Sequence, residues 1–210
     1  MPRTESPHNG IIELFRPSEH PIDIDIVAVH GLQDHARRTW THEASKVCWL
    51  SDLLPNYIKN ARVLSWEYNA ITNSLGGKTT GSDRILQHAG ALIDELQGDR
   101  ELEDATERPI IFIAEDFSPL VPRYHILFLW EQLRTDMKYR VDYIVDRESA
   151  APILDGTDKC GIAADHRGIC KFENVDSPGF KVVIVTLKRY CIAAPARIKE
   201  RLMESANSLS

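Results

Sequence analysis

Apolar and polar positions alternate and then merge along residues 22–32, IDIDIVAVHGL. The Ile–Asp alternation gives way to the largely β-branched run Ile26-Val27-Ala28-Val29, which stops at His30-Gly31. Such a run, bounded by a glycine turn, predicts the central strand of a parallel sheet. Two further runs carry the same signal: Ala61–Trp66, followed by Glu67-Tyr68-Asn69-Ala70, and Pro109–Ala114 (PIIFIA). Gly10–Phe15 predicts a short edge strand, and Trp49–Pro55 a short helix closed by proline. Ser82-Asp83 can cap a helix over about 84–97, with Ile85, Leu86, Ala89, Leu92, Ile93 and Leu96 at helical spacing on one face. Strands alternating with helices imply an α/β architecture with right-handed crossovers.

The alternation breaks after Ala114. The chain enters EDFSPLVPRYH with no helical pattern, then the apolar run Ile126–Trp130, closed by Glu131. Tyr139–Val145 predicts a strand ended by Asp146, and residues 147–172 read as loop. Ser177-Pro178 opens a helix through about Ile192, with a second short helix from Pro195. The implied organisation is a loose tail over 1–9, a domain over 10–192 and a C-terminal helix or tail over 193–210.

Composition narrows the function classes. In 210 residues the net charge is -6, with no basic stripe that would suit nucleic acid. No apolar run approaches the ~20 residues of a membrane helix. The polar start MPRTESPHNG lacks a signal-peptide core, so the expectation is an intracellular, cytoplasmic protein. Cys48, Cys160, Cys170 and Cys191 show no CxxC spacing and read as small buried or partly buried residues. Gly76-Gly77-Lys78-Thr79 fails as a phosphate loop, because Ile71 stands where the first glycine belongs. His30, His35 and His42 share a region without metal-ligand spacing, so neither a metal nor a cofactor is expected.

Taken together, DIVAVHGL with Trp40 downstream, WLSDLLP, ARVLSWEYNA, RPIIFIA and ADHRGICKF, in that order, resemble the fungal SesB-like serine esterases and lipases. These are α/β-hydrolase domains often found in NLR-type, ankyrin- or TPR-containing proteins. The resemblance covers about Gly10 to Cys191. It implies ester or lipid hydrolysis and a mostly parallel sheet with helices on both faces. In that family the strand matching PIIFIA runs into a nucleophile elbow of the AHSLGG type. Here Ala114 is followed by Glu115-Asp116-Phe117-Ser118-Pro119, and no GxSxG occurs in the chain. An internal deletion between Ala114 and Glu115 accounts for this order. It implies an abbreviated α/β-hydrolase that is catalytically impaired and has an apolar strand edge uncovered. Ser118 makes a poor nucleophile, since Pro119 has no N–H to offer an oxyanion.

The resemblance further implies an oxyanion donor at Gly31-Leu32, a catalytic base at His166 and an acid at Glu131, with Asp146 as the alternative acid. Asp165 reads as a loop cap. The partners implied are an ester or lipid substrate, or an NLR-type signalling protein. The second expectation is a non-catalytic regulatory or interaction module.

Overall fold

The computed structural model describes residues 10–31, 34–68, 81–114, 126–144 and 157–208. It resolves into two compact units, one formed by Met1–Thr39 with Asn60–Asp116, the other by Trp40–Lys59 with Phe117–Ser210. The fold is mixed α/β with mainly parallel strand pairing.

The first unit is built on a four-stranded sheet. Its strands are β1 (Gly10–Phe15), β2 (Ile24–Val29), β3 (Ala61–Glu67) and β4 (Ile110–Ala114), in the order β1-β3-β2-β4. β2, β3 and β4 are parallel, and β1 joins β3 antiparallel at the edge predicted for it. The near-continuous apolar runs of β2 and β3 are explained by their burial along almost their whole length. The helix of this unit, α2, comes after α1 (Trp49–Asp52), which belongs to the other unit. It spans Gly81–Leu102, longer than the capping signal suggested. Leu92 and Leu96 of α2 pack on Val27, Leu64 and Trp66. Ala89 and Ile93, expected on that face, are exposed instead.

Below the helix, at the amino-terminal ends of the strands, lies a buried ionic cluster. Asp25 Oδ1 accepts from Arg62 Nε (2.9 Å) and Arg108 Nη1 (3.0 Å), and Asp25 Oδ2 from Arg100 Nη1 (2.7 Å). Arg62 Nη2 donates to Asp99 (2.7 Å). Burial works against charge on Arg62, but its hydrogen bonds to Asp25 and Asp99 outweigh it and hold its pKa above the ordinary value. Burial pulls Arg100 the other way; Arg108 and Arg62 add to that pull, against the attraction of Asp25. This cluster ties β2, β3, the end of α2 and the entry to β4 together.

The second unit contains α1 (Trp49–Asp52), a 3₁₀ turn over Leu54–Asn56, strands β5 (Ile126–Glu131), β6 (Thr135–Asp136), β7 (Val141–Asp142) and β8 (Thr157–Ile162), and helix α3 (Phe180–Ser208). β5 and β8 are parallel, and β6 and β7 form a two-residue antiparallel ladder. Three expectations need correction. Of the strand expected over Tyr139–Val145, the described residues form only Val141–Asp142, because Tyr139, Val141, Tyr143 and Ile144 are exposed and offer no buried face to a longer one; Val145 lies outside the described residues. Part of the expected loop, 157–162, is a strand paired with β5. The two C-terminal helices are one, which continues through Pro195. The cysteines are free, with Cys48 and Cys191 buried and Cys160 and Cys170 half-buried. No helix among the described residues is long and apolar enough to cross a membrane.

Candidate functional site

The carboxyl ends of parallel strands are where open α/β sheets gather reactive groups. In the first unit the ladder aligns three such ends. Val29 stands opposite Trp66 on one side and Ala114 on the other. His30-Gly31, which follow β2, and Glu67-Tyr68, at the end of β3 and just beyond it, therefore emerge next to each other.

His30 is buried, and its surroundings fix its state. Nδ1 lies 2.8 Å from the Gly31 carbonyl, which can only accept, so Nδ1 carries the proton. Nε2 then presents a lone pair. Among the described residues it has no hydrogen-bond partner, and it lies 3.8 Å from Glu67 Oε1. The imidazole stacks on Tyr68 at 4.3 Å and 11°, and Tyr68 stacks in turn on Trp66 at 4.6 Å. The Tyr68 hydroxyl donates to the His30 carbonyl (2.9 Å). Glu67 Oε2 accepts the Ala36 N–H (2.8 Å), and Oε1 lies 3.2 Å from His35 Nδ1. Burial pushes the His30 pKa down, and the hydrogen bond to Gly31 and the charge of Glu67 only partly offset this.

This burial makes stability depend on pH. An unfolded His30 takes up a proton near pH 6.5, while the folded one resists it. The unfolded state then binds more protons, so this group's contribution to stability falls as pH drops below about 6.5. The urea midpoint is expected to fall between about pH 7.5 and 5.5, and to fall less in His30→Phe, which cannot titrate. An equal fall in both proteins would mean that His30 is not the titrating group.

Glu67-Tyr68, read from the sequence only as the stretch after a strand, and His35, read only as a histidine without metal-ligand spacing, come together at this site. The one available signal was the position of Glu67-Tyr68 at the end of a buried run, as His30-Gly31 stands at the end of another. Gly31 contributes a carbonyl acceptor to this cluster, and Leu32 lies outside the described residues, as do Ser118, Asp146 and Gly76–Thr79.

The expected acid and base belong to the second unit. Glu131 closes β5 and is buried. Its Oε1 accepts the Ile144 N–H (2.7 Å) and its Oε2 the Thr135 hydroxyl (3.2 Å). Thr135 Oγ1 accepts the His166 backbone N–H (3.0 Å). Glu131 and His166 are thus linked through Thr135 and the main chain. Among the described residues, no hydrogen bond joins the His166 imidazole to Glu131. Asp165 Oδ1 accepts the Gly168 N–H (2.9 Å), which is the loop-capping role read for it. A second tether holds the same turn: Trp49 Nε1 donates to the Cys170 carbonyl (3.0 Å).

Among the described residues, no group of three or more His, Cys, Asp or Glu side chains is arranged to hold a metal ion. His30 and His35 meet at Glu67, while His42, in the second unit, pairs with Ser45 Oγ at 2.9 Å. No family model matches the chain, and comparison with curated proteins and with solved structures found no similar protein.

Proposed function

We propose that this chain is an α/β-hydrolase-like protein of the serine esterase or lipase type whose hydrolytic chemistry is impaired. One observation carries the reading: Val29 pairs with Ala114. A serine hydrolase needs its oxyanion donors beside its nucleophile, within about 3 Å of the reacting oxygen. A segment leaving β2 at His30-Gly31 and an elbow leaving β4 after Ala114 would start from adjacent strand ends, as that chemistry requires. Ala114 is succeeded in the chain by Glu-Asp-Phe-Ser-Pro, without the Gly-x-Ser-x-Gly that lifts a serine above a sheet. An oxyanion side without its serine forms no acyl-enzyme.

The full chain is expected neither to turn over a short-chain p-nitrophenyl ester nor to be labelled by a fluorophosphonate probe, with circular dichroism confirming that it is folded. Stoichiometric labelling of any serine overturns the impaired state.

The second reading, a regulatory or interaction module of the NLR-associated type, is favoured by the Glu131 contacts. Both carboxylate oxygens are engaged with Thr135 and Ile144, which suits a structural role. The two readings part on ligand recognition. An impaired esterase still binds a non-hydrolysable fatty-acyl ester analogue saturably in calorimetry, and an interaction module does not.

A further inference from the structure

β4 is the last strand of its sheet, and among the described residues no strand pairs with its outer side. The two edges of this sheet are built differently. β1 carries Glu13, a register shift between Glu13 and Phe15, and Gly10 at φ 131°. Charge and irregularity of this kind discourage pairing with another chain. β4 reads Ile-Ile-Phe-Ile-Ala, with no charge, no proline and an unbroken register against β2.

The ladder also shows which β4 groups face outward. The Asp25 N–H donates to the Pro109 carbonyl (3.0 Å), and Asp25, Val27 and Val29 stand opposite Ile110, Phe112 and Ala114. In a parallel ladder this phase turns the main-chain groups of Ile111 and Ile113 toward β2. The N–H and C=O of Ile110, Phe112 and Ala114 then point away from the sheet. They form a set symmetric about Phe112.

The side chains have the same centre. Ile110, Phe112 and Ala114 share the face on which α2 packs. α2 covers Val27 completely, but Phe112, one strand further out, is 49% exposed. Ile93 of α2 is 61% exposed and lies on the helix flank nearer β4. Arg100, seven residues on along the same flank, reaches the Arg108 carbonyl just before β4. Asp99 reaches Arg62 of β3 on the other flank.

We propose that β4 is a self-pairing edge, at which two copies of this chain join antiparallel about a two-fold axis through Phe112, perpendicular to the sheet. Phe112 then faces Phe112 of the second copy, and Ile110 faces its Ala114. Each is a hydrogen-bonded pair that uses the outward groups named above. The axis keeps both Phe112 rings on one face, about 5 Å apart at Cβ and flanked by Ile93 from each α2, so the apolar surface left open in one copy is covered. Charge favours this partner and orientation. Antiparallel pairing sets the Arg108 end of one strand against the end from which the other continues in sequence into Glu115-Asp116. Parallel pairing would instead bring like ends of the two strands together. The pairing does not depend on the hydrolase reading.

Light scattering after size exclusion, on the full chain over roughly a hundredfold range of concentration, should give the mass of two chains, falling to one on dilution. Phe112→Lys places two ammonium groups on the axis and is expected to weaken the dimer by at least ~100-fold, with its circular dichroism unchanged. Phe112→Cys should cross-link to a dimer with diamide, since Cα atoms in such a pair sit about 5.5 Å apart, within disulfide range. Wild type, whose cysteines are buried or half-buried, serves as the control for that cross-link. A monomer at all concentrations, open-ended aggregation, a dimer that survives Phe112→Lys, or a Phe112→Cys protein that cross-links no better than wild type each overturns the proposal.

Discussion

Asp25→Ala is expected to lower the folding free energy by about 3–5 kcal/mol, enough to leave a marginal domain largely unfolded. The carboxylate is fully buried and holds Arg62, Arg100 and Arg108 at 2.7–3.0 Å. Arg62 is as buried as Asp25, so removing the anion strands a guanidinium that water cannot reach. Asp99 would remain on Arg62 at 2.7 Å but is partly exposed, and it compensates one cation of three. The cost belongs to breaking the cluster by removing one member. Replacing a whole ionic cluster with well-packed apolar residues is often neutral, so its presence alone is weak grounds for stability. Position adds to the cost, because Asp25 lies on β2, between β3 and β4, and its partners come from β3, α2 and the segment leading into β4. Asp25→Asn keeps the volume but turns an amide toward arginine donors, so it should recover little. Urea unfolding measures both variants, and a loss below about 1 kcal/mol for Asp25→Ala would show that the arginines find other acceptors or water.

That cluster marks the limit of what can be read along the chain. β2 and β3 are legible because a strand covered on both faces must be apolar at nearly every position, and β4 carries the same apolar run although Phe112 is half exposed. The Asp in β2 looks like simple alternation, and only the register, Asp25 opposite Arg62, reveals it as an ionic centre. β8 is hidden for the opposite reason. TDKCGI holds little β-branched or aromatic character, and its strand form comes from the ladder with β5, some thirty residues away. Tyr139–Val145 has the strand pattern, but among the described residues only Val141–Asp142 pairs, with the two-residue β6. Pro195 reads as a break, yet α3 continues through it, with its apolar stripe Ile184, Leu187 and Cys191 buried on the amino-terminal side. At the sites, His30 is legible as a strand-end residue. Its neighbour Glu67 is not, since their meeting requires Val29 to stand beside Trp66. Likewise Glu131 can be read as a strand-end carboxylate, but not its use of Thr135 and Ile144, which depends on how β6 and β7 fold back.

Trp49→Ala is expected to cost a further large amount in its own unit, about 3–5 kcal/mol. Trp49 is fully buried. Its ring lies edge-on to Phe172 at 5.3 Å and to Trp40 at 6.4 Å, and Phe172 packs on Phe180 at 5.5 Å, which meets Tyr57 at 5.7 Å. These contacts join residues 40–57 to the chain that leads into α3, over a separation of 121 residues at the Trp49–Cys170 hydrogen bond. Alanine removes the ring, opens a cavity among aromatics and takes the indole N–H away from the Cys170 carbonyl. Trp49→Phe separates these effects, because it keeps most of the packing and loses only the N–H, a change worth about 1 kcal/mol. The hydrogen bond matters for the candidate base as well. The turn carrying His166 is pinned at one end by Thr135 Oγ1 and at the other by Trp49 Nε1. With one pin removed, hydrogen exchange at the His166 amide should accelerate in Trp49→Phe while amides of β2 and β3 stay protected. Unchanged exchange at His166 would show that the turn is held without the indole N–H, and that the indole contributes packing only.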